Sequence, residues 1–200
     1  MSVYVEDLQQ IYEEIIADPR YVEGVKFGKP RTGHVEGTVE LHILDLENNL
    51  MVLHPLLSEY EYWELRILVH THDTMKFWAM RDSPIEGNQS HATLARKFLA
   101  EFLDDHLLVP EQRNDLLNMV QFHDENWAIW KGFEKNGHIK QAKLNNILSI
   151  KHMDLFLFFT IIDGYTPSKV HERIRWFVDL VNKHRLVAPR VYQALDRFII

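Results

Sequence analysis

Apolar residues recur along this chain at the spacing of one helix face, and strand-like alternation is weak throughout. Residues 5–17 carry Leu8, Ile11, Tyr12, Ile15 and Ile16 on one side, and Pro19 predicts the end of that helix. Residues 21–37 read as a loop rich in Gly, Lys and Pro. Thr38 is the predicted cap of a second helix, with Leu41, Leu44, Leu46, Leu50 and Leu53 as its apolar side. Residues 60–71 are predicted as a helix led by Glu59, Glu61 and Glu64, where acids favour an N-terminus. Residues 74–89 contain Asp82-Ser83-Pro84 and Gly87-Asn88 and read as a loop. Residues 91–104 bring Ala95, Phe98, Leu99 and Phe102 into helical register, and Pro110 with Glu111 marks another helix start. Residues 143–163 carry Leu144, Ile147, Leu148, Leu155, Phe158, Phe159 and Ile162 and are predicted as one long helix. Further helices are predicted over 170–183 and 189–198. The pattern predicts an all-α fold, a single-domain helical bundle over residues 1–200.

Composition narrows the function classes. Hydrophobic residues make up 46% of 200, enough for one sizeable core, and 26% charged residues exclude wholesale disorder. A net charge of −7 argues against a dedicated non-specific DNA binder and leaves room for a local basic pocket. Lys26, Lys29 and Arg31 read as a solvated loop within reach of an anionic substrate. The absence of cysteine removes disulfides, a thiolate nucleophile and Cys-ligated zinc, and fits a reducing cytosol. Acids stand among residues 1–20 where a secretory leader would be basic and apolar, and no apolar stretch reaches the roughly 18 residues of a membrane span. The expectation is a cytoplasmic protein without a membrane partner.

Twelve histidines change the picture. Histidine is the commonest metal ligand and titrates near neutral pH. The most informative stretch is Leu68-Val69-His70-Thr71-His72-Asp73-Thr74-Met75-Lys76. An adjacent His72-Asp73 pair at a helix end can serve one binuclear site, because imidazole takes one ion through nitrogen and a carboxylate can bridge two. His42, His91, His123-Asp124 and Asp163 each fall at or near the end of an apolar helix, where a bundle gathers polar groups around a cavity. Asp163 ends so apolar a run that it needs a partner, either a metal or a helix-end hydrogen bond. The bland alternatives are a core histidine for His42 and a structural cap for His72-Asp73.

These residues resemble the HD-domain superfamily of metal-dependent phosphohydrolases, whose pattern is a His, then His-Asp, then a later Asp on an all-helical bundle. His42, His72-Asp73 and Asp163 match it in order. The likeness is closest to the HD domain attached to bacterial CCA-adding tRNA nucleotidyltransferases. Residues 34–42 (HVEGTVELH) look like its HPEG-x-V-x-x-H segment. Residues 69–76 resemble its L-x-HD-x-GK, with Met75 where Gly is usual, and residues 90–124 resemble its segment from a second histidine through L-x-V-P to a terminal HD. The likeness covers residues 33–166. It includes no nucleotidyltransferase head, so polymerising activity is not expected.

The resemblance implies His42, His72, Asp73 and Asp163 as metal ligands. It implies His91 and His123 as ligands of a second ion or as groups that bind the substrate phosphate and take part in catalysis. Lys76 becomes a phosphate-binding and catalytic charge. His34 touches phosphate or merely orders its loop, and Asp124 contacts substrate or orients His123. The implied cofactor is one or two divalent ions, with nitrogen-rich ligands favouring Mn, Fe, Co, Ni or Zn over Mg. The implied reaction is attack of activated water on the phosphorus of a nucleotide or nucleic-acid phosphomonoester or 2′,3′-cyclic phosphodiester. Alternatives are a non-catalytic metal- or RNA-binding or regulatory module, and a hydrolase of a signalling or house-cleaning nucleotide. No obligate protein partner is evident, and a homo-oligomer is left open. Trp127, Trp130 and Lys131 fit packing better than a base-stacking rim. His54, His106, His138, His152, His171 and His184 read as structural or surface residues, and His70 is held open.

Overall fold

The computed structural model describes residues 3–30, 35–81, 90–104, 106, 108–166 and 169–198. The helices in order are α1 (Val3–Ala17), α2 (Pro19–Gly24), α3 (Val39–Leu53), α4 (Glu59–Thr71), α5 (Lys76–Arg81), α6 (His91–Asp104), α7 (Pro110–Phe122), α8 (Glu125–Asn136), α9 (Gln141–Leu148), α10 (Met153–Gly164), α11 (Glu172–Asn182) and α12 (Pro189–Asp196). Among the described residues the sole β-type pairing is a bridge between Gly28 and Thr38, so the all-α expectation holds.

Helix α4 is the axis of the bundle, packed by α1, α3, α7 and α10. Its start is a capping box, in which Ser58 accepts the Glu61 N–H and the Glu61 carboxylate accepts from the Ser58 backbone. Leu65, Ile67, Leu68 and Val69 bury its middle and end. Helix α10 beside it is buried from Leu155 to Ile162, as expected of a helix that is apolar all round.

Four details depart from the sequence pattern. Pro19 does not simply end α1 but opens α2, because Asp18 caps the new helix by accepting the Arg20 N–H and proline is tolerated in a first turn. Helix α5 occupies part of the predicted 74–89 loop. In α3 the buried stripe is Val39, Ile43, Leu46, Leu50 and Leu53, with His42 beside it, while Leu41 and Leu44 are 46% and 56% exposed. The predicted long helix over 143–163 is two helices. Buried Asp115 accepts the backbone N–H groups of Lys151 and His152 at 2.8 and 2.6 Å, and Arg185 bonds the carbonyls of Ile150 and Lys151. These bonds satisfy the backbone groups that the break exposes. Among the described residues no helix is long and apolar enough to cross a membrane.

Candidate metal centre

Helix α4 runs out at His72, whose N–H still bonds the Leu68 carbonyl, and the chain turns through Asp73, Thr74 and Met75 into α5. This turn sits close against α2, where a Cβ on Gly24 would lie 2.3 Å from the Thr74 carbonyl oxygen. A glycine is therefore required there for the backbone approach, not for a special dihedral.

The two His-Asp pairs are built alike. His72 Nδ1 lies 3.0 Å from the Val69 carbonyl, and His123 Nδ1 lies 2.7 Å from the Val120 carbonyl. A carbonyl only accepts, so in each ring Nδ1 donates, and Nε2 is the nitrogen that offers a lone pair when the ring is neutral. His72 Nε2 is buried and has no hydrogen-bond partner.

Around these rings the predicted residues gather in two groups, His42, His72 and Asp163, and Asp73, His91 and His123, each with ligand atoms within 4.8 Å of one another. His42 Nε2 is 3.1 Å from Asp163 Oδ1, and His91 Nε2 is 3.2 Å from His123 Nε2. Asp73 joins the groups: its Oδ2 is 3.5 Å from His72 Nε2, while its Oδ1 is 3.3 Å from His91 and 3.6 Å from His123. Asp124, exposed at the rim, stands 3.2 Å from His91 Nε2. Lys76 bonds Asp73 Oδ2. These buried His and Asp groups are able to hold a metal ion, and the unpartnered His72 nitrogen fits that use.

The electrostatics favour charged acids. Burial works against ionised Asp73, but His72, Lys76 and the hydrogen bonds from His123 and His91 hold it well below the usual carboxylate range. Burial is likewise overcome at Asp163 by Lys169 and His42. Desolvation depresses His72 to about 3, partly offset by Asp73, so its ring is neutral. His91 is also penalised by burial, yet Asp124 and Asp73 raise it to about 9. His42 and His123 follow the same balance, raised by Asp163 with Glu36 and by Asp124 with Asp73.

Above the centre lies a cleft of about 1000 Å³, with His42, Asp73, Lys76, His91 and Asp124 in its lining. Trp127 lines the cleft with Lys131 and Arg173 packed on its ring, and Trp130 packs on Trp176 at 5.0 Å between ring centroids. Lys26 and Lys29 also line the cleft. His34 and Arg31 lie outside the described residues. His70 belongs to neither group: its Nδ1 meets the Tyr21 hydroxyl at 2.6 Å and its Nε2 meets Glu47 at 2.9 Å. His54 lies against Tyr62 with the two rings tilted, His106 meets Glu14, and His138 and His184 are exposed.

Three supporting residues escaped the sequence reading. Glu36 stands 3.2 Å from His42 Nδ1, on the side of the ring away from Asp163. Lys169 bonds the Asp163 carboxylate at 2.6 Å and its carbonyl at 2.8 Å. Arg173, only 9% exposed, lays its guanidinium 4.4 Å from the Trp127 ring centroid. Glu36 was visible inside the HVEG segment, whereas nothing in sequence distinguishes Lys169 or Arg173 from surface cations.

No family model, no curated protein and no solved structure matches this chain.

Proposed function

We propose that this protein is a metal-dependent phosphohydrolase of the HD-domain type, acting on nucleotide or nucleic-acid phosphomonoesters or 2′,3′-cyclic phosphodiesters. The observation that carries the reading is the division of the Asp73 carboxylate, one oxygen toward His72 and the other toward His91 and His123. A carboxylate so divided suits a pair of ions, and a monodentate helix cap would not need three imidazoles around it.

In this reading His42, His72 and Asp163 hold one ion, His91 and His123 hold a second or face the substrate phosphate, and Asp73 serves both groups. Divalent ions bound there supply Lewis acidity toward a phosphoryl oxygen and toward water, and the nitrogen-rich set favours Mn, Fe, Co, Ni or Zn. The chain's own groups do the rest. Lys76 brings a positive charge to the cleft floor, where phosphoryl oxygens would gain negative charge in the transition state. Where His91 is not a ligand, it is a protonated imidazole in the cleft wall, suited to pass its proton to the departing oxygen. Glu36 and Lys169 orient His42 and Asp163. The overall change is addition of water across a P–O bond, with the proton ending on the leaving alkoxide.

The test is to measure bound metals in the purified protein and to screen p-nitrophenyl phosphate, bis-p-nitrophenyl phosphate and nucleoside mono- and cyclic phosphates with Mn, Co, Ni and Mg. Turnover that needs an added ion supports the reading. Absence of both metal and turnover under every ion removes it and favours a non-catalytic module.

A further inference from the structure

The cleft walls carry groups that the centre does not use. Helix α5 follows the His72-Asp73 turn at once, so Lys76 reaches Asp73 while the next residues form the rim. Phe77 and Met80 line the cleft, and Met80 is 69% exposed. Arg81 shares their face at helical spacing, its guanidinium 5.8 Å from the Phe77 ring centroid. The Phe27 ring lies 6.0 Å from that of Phe77. Phe27 is held there by its chain, because its carbonyl accepts the Val39 N–H at 2.9 Å and the adjacent Gly28 pairs with Thr38. That pairing requires glycine: Gly28 has φ +129°, and a Cβ on it would lie 2.2 Å from the Gly37 carbonyl oxygen. Lys26 and Lys29 flank Phe27, and both are exposed.

Charge makes this wall unusual for its chain. The protein carries a net charge of −7, yet among the described residues no ion pair involves Lys26, Lys29 or Arg81. Aromatic faces interleaved with uncompensated cations are the arrangement that binds single-stranded nucleic acid, where bases stack and phosphates are neutralised. We propose that the Phe27–Phe77 wall takes a base near the end of a single strand, with Lys26, Lys29 and Arg81 on the adjoining phosphodiesters. A mononucleotide has its one phosphate group at the centre and leaves these cations without an anion. A duplex keeps its bases stacked on each other and away from the wall. The inference deepens the phosphohydrolase reading and rests on it for the strand's direction, with the end toward Asp73.

The experiment is fluorescence anisotropy of the full chain with a labelled single-stranded RNA hexamer, in EDTA and at about 50 mM salt. AMP and a short RNA duplex serve as competitors. The hexamer should bind at least about tenfold tighter than AMP or the duplex. The double variant Lys26→Glu/Lys29→Glu changes exposed side chains, and should weaken binding at least about tenfold and flatten the log Kd against log salt slope by about 1.4. Phe77→Leu keeps an apolar side chain but loses the ring, and should weaken binding about fivefold or more. A hexamer that binds no better than AMP, or a double variant that binds like wild type, overturns the inference. Hydrolysis of p-nitrophenyl phosphate or bis-p-nitrophenyl phosphate with added Mn, Co, Ni or Mg separates the two readings. Strand binding without that turnover supports the wall and removes the phosphohydrolase, whereas turnover without strand binding does the reverse.

Discussion

Two carboxyls are buried along α4 and the turn that follows it, and their surroundings treat them in opposite ways. At the C-terminal end Asp73 is 4% exposed and stays ionised, because three imidazoles and Lys76 converge on it. Near the middle of α4 Glu64 is 2% exposed, and its carboxyl is pushed up to about 8. Burial is the main cause there, and the acidic neighbours Glu61 and Asp115 add to it. Glu64 lines a second cleft, of about 550 Å³, in which Arg190 is already committed to Glu61 through bonds of 3.0 and 2.6 Å. Burial alone therefore does not mark a metal centre. What marks it is opposite charge brought from several helices to keep an acid anionic where desolvation would neutralise it.

The comparison can be broken most decisively at Asp73. Asp73→Ala should lower metal-dependent hydrolysis about a thousandfold, a loss of roughly 4 kcal/mol of transition-state stabilisation, and should reduce bound metal measured by elemental analysis. Glu64→Ala should leave the metal content as it is. Equal metal loss in both variants would erase the distinction between the two carboxyls.

Metal removal comes next in size. With an ion at about 100 times its Kd, binding to the folded chain alone adds about 2.7 kcal/mol. Dialysis against EDTA should lower the thermal midpoint by roughly 5–10 °C for a chain of this size. Calorimetry with and without added Mn measures it, and an unchanged midpoint counts against a tight site.

Glu64 sharpens the other side. Its folded pKa is raised, so its contribution to stability is whole below the unfolded value of 4.5 and is lost as pH climbs toward about 8. Glu64→Gln is neutral at every pH. It should be about 2 kcal/mol more stable relative to wild type at pH 6.5 than at pH 4.5, given about 1.4 kcal/mol for each pH unit above the unfolded value while Glu64 stays protonated in the fold. Denaturant titrations at both pH values check this, and parallel pH profiles would mean that Glu64 is ionised in the fold.

The smallest expected effect is at Lys169, which bonds Asp163 without lining the cleft. Lys169→Met should weaken metal binding about tenfold, read by competition with a chelating dye. An unchanged affinity would show that the counter-charge is not needed for orientation.

Much of this was legible in sequence, and what was not has a physical reason. The bounds of α6 and the start of α7 follow from local signals, namely apolar spacing and a proline in the first turn. His42, His72, Asp73, His91, His123 and Asp163 could be picked out because each sits by a helix end, and the fold brings them together. The exposed Leu41 and Leu44 misled because a leucine-rich helix has more apolar positions than one face can bury. The break before α10 was hidden because Asp115, which caps it, stands 36 residues away from Lys151 in sequence. Lys169 and Arg173 were hidden for the same reason: a cation's role depends on what faces it across the bundle.

The spread of the centre along the chain also shapes how the protein unfolds. His42 and Asp163 are 121 residues apart, yet they meet at 3.1 Å. Apart from His72-Asp73, no two of the clustered groups are neighbours in sequence, so an opened chain offers an ion little more than single weak donors. An ion that bridges these segments would act as a cross-link over long loops, and loop closure costs entropy that the folded bundle has already met. Loss of α3 or α10 from the bundle would then release the ion as one event, so fraying at one end would be coupled to the whole domain.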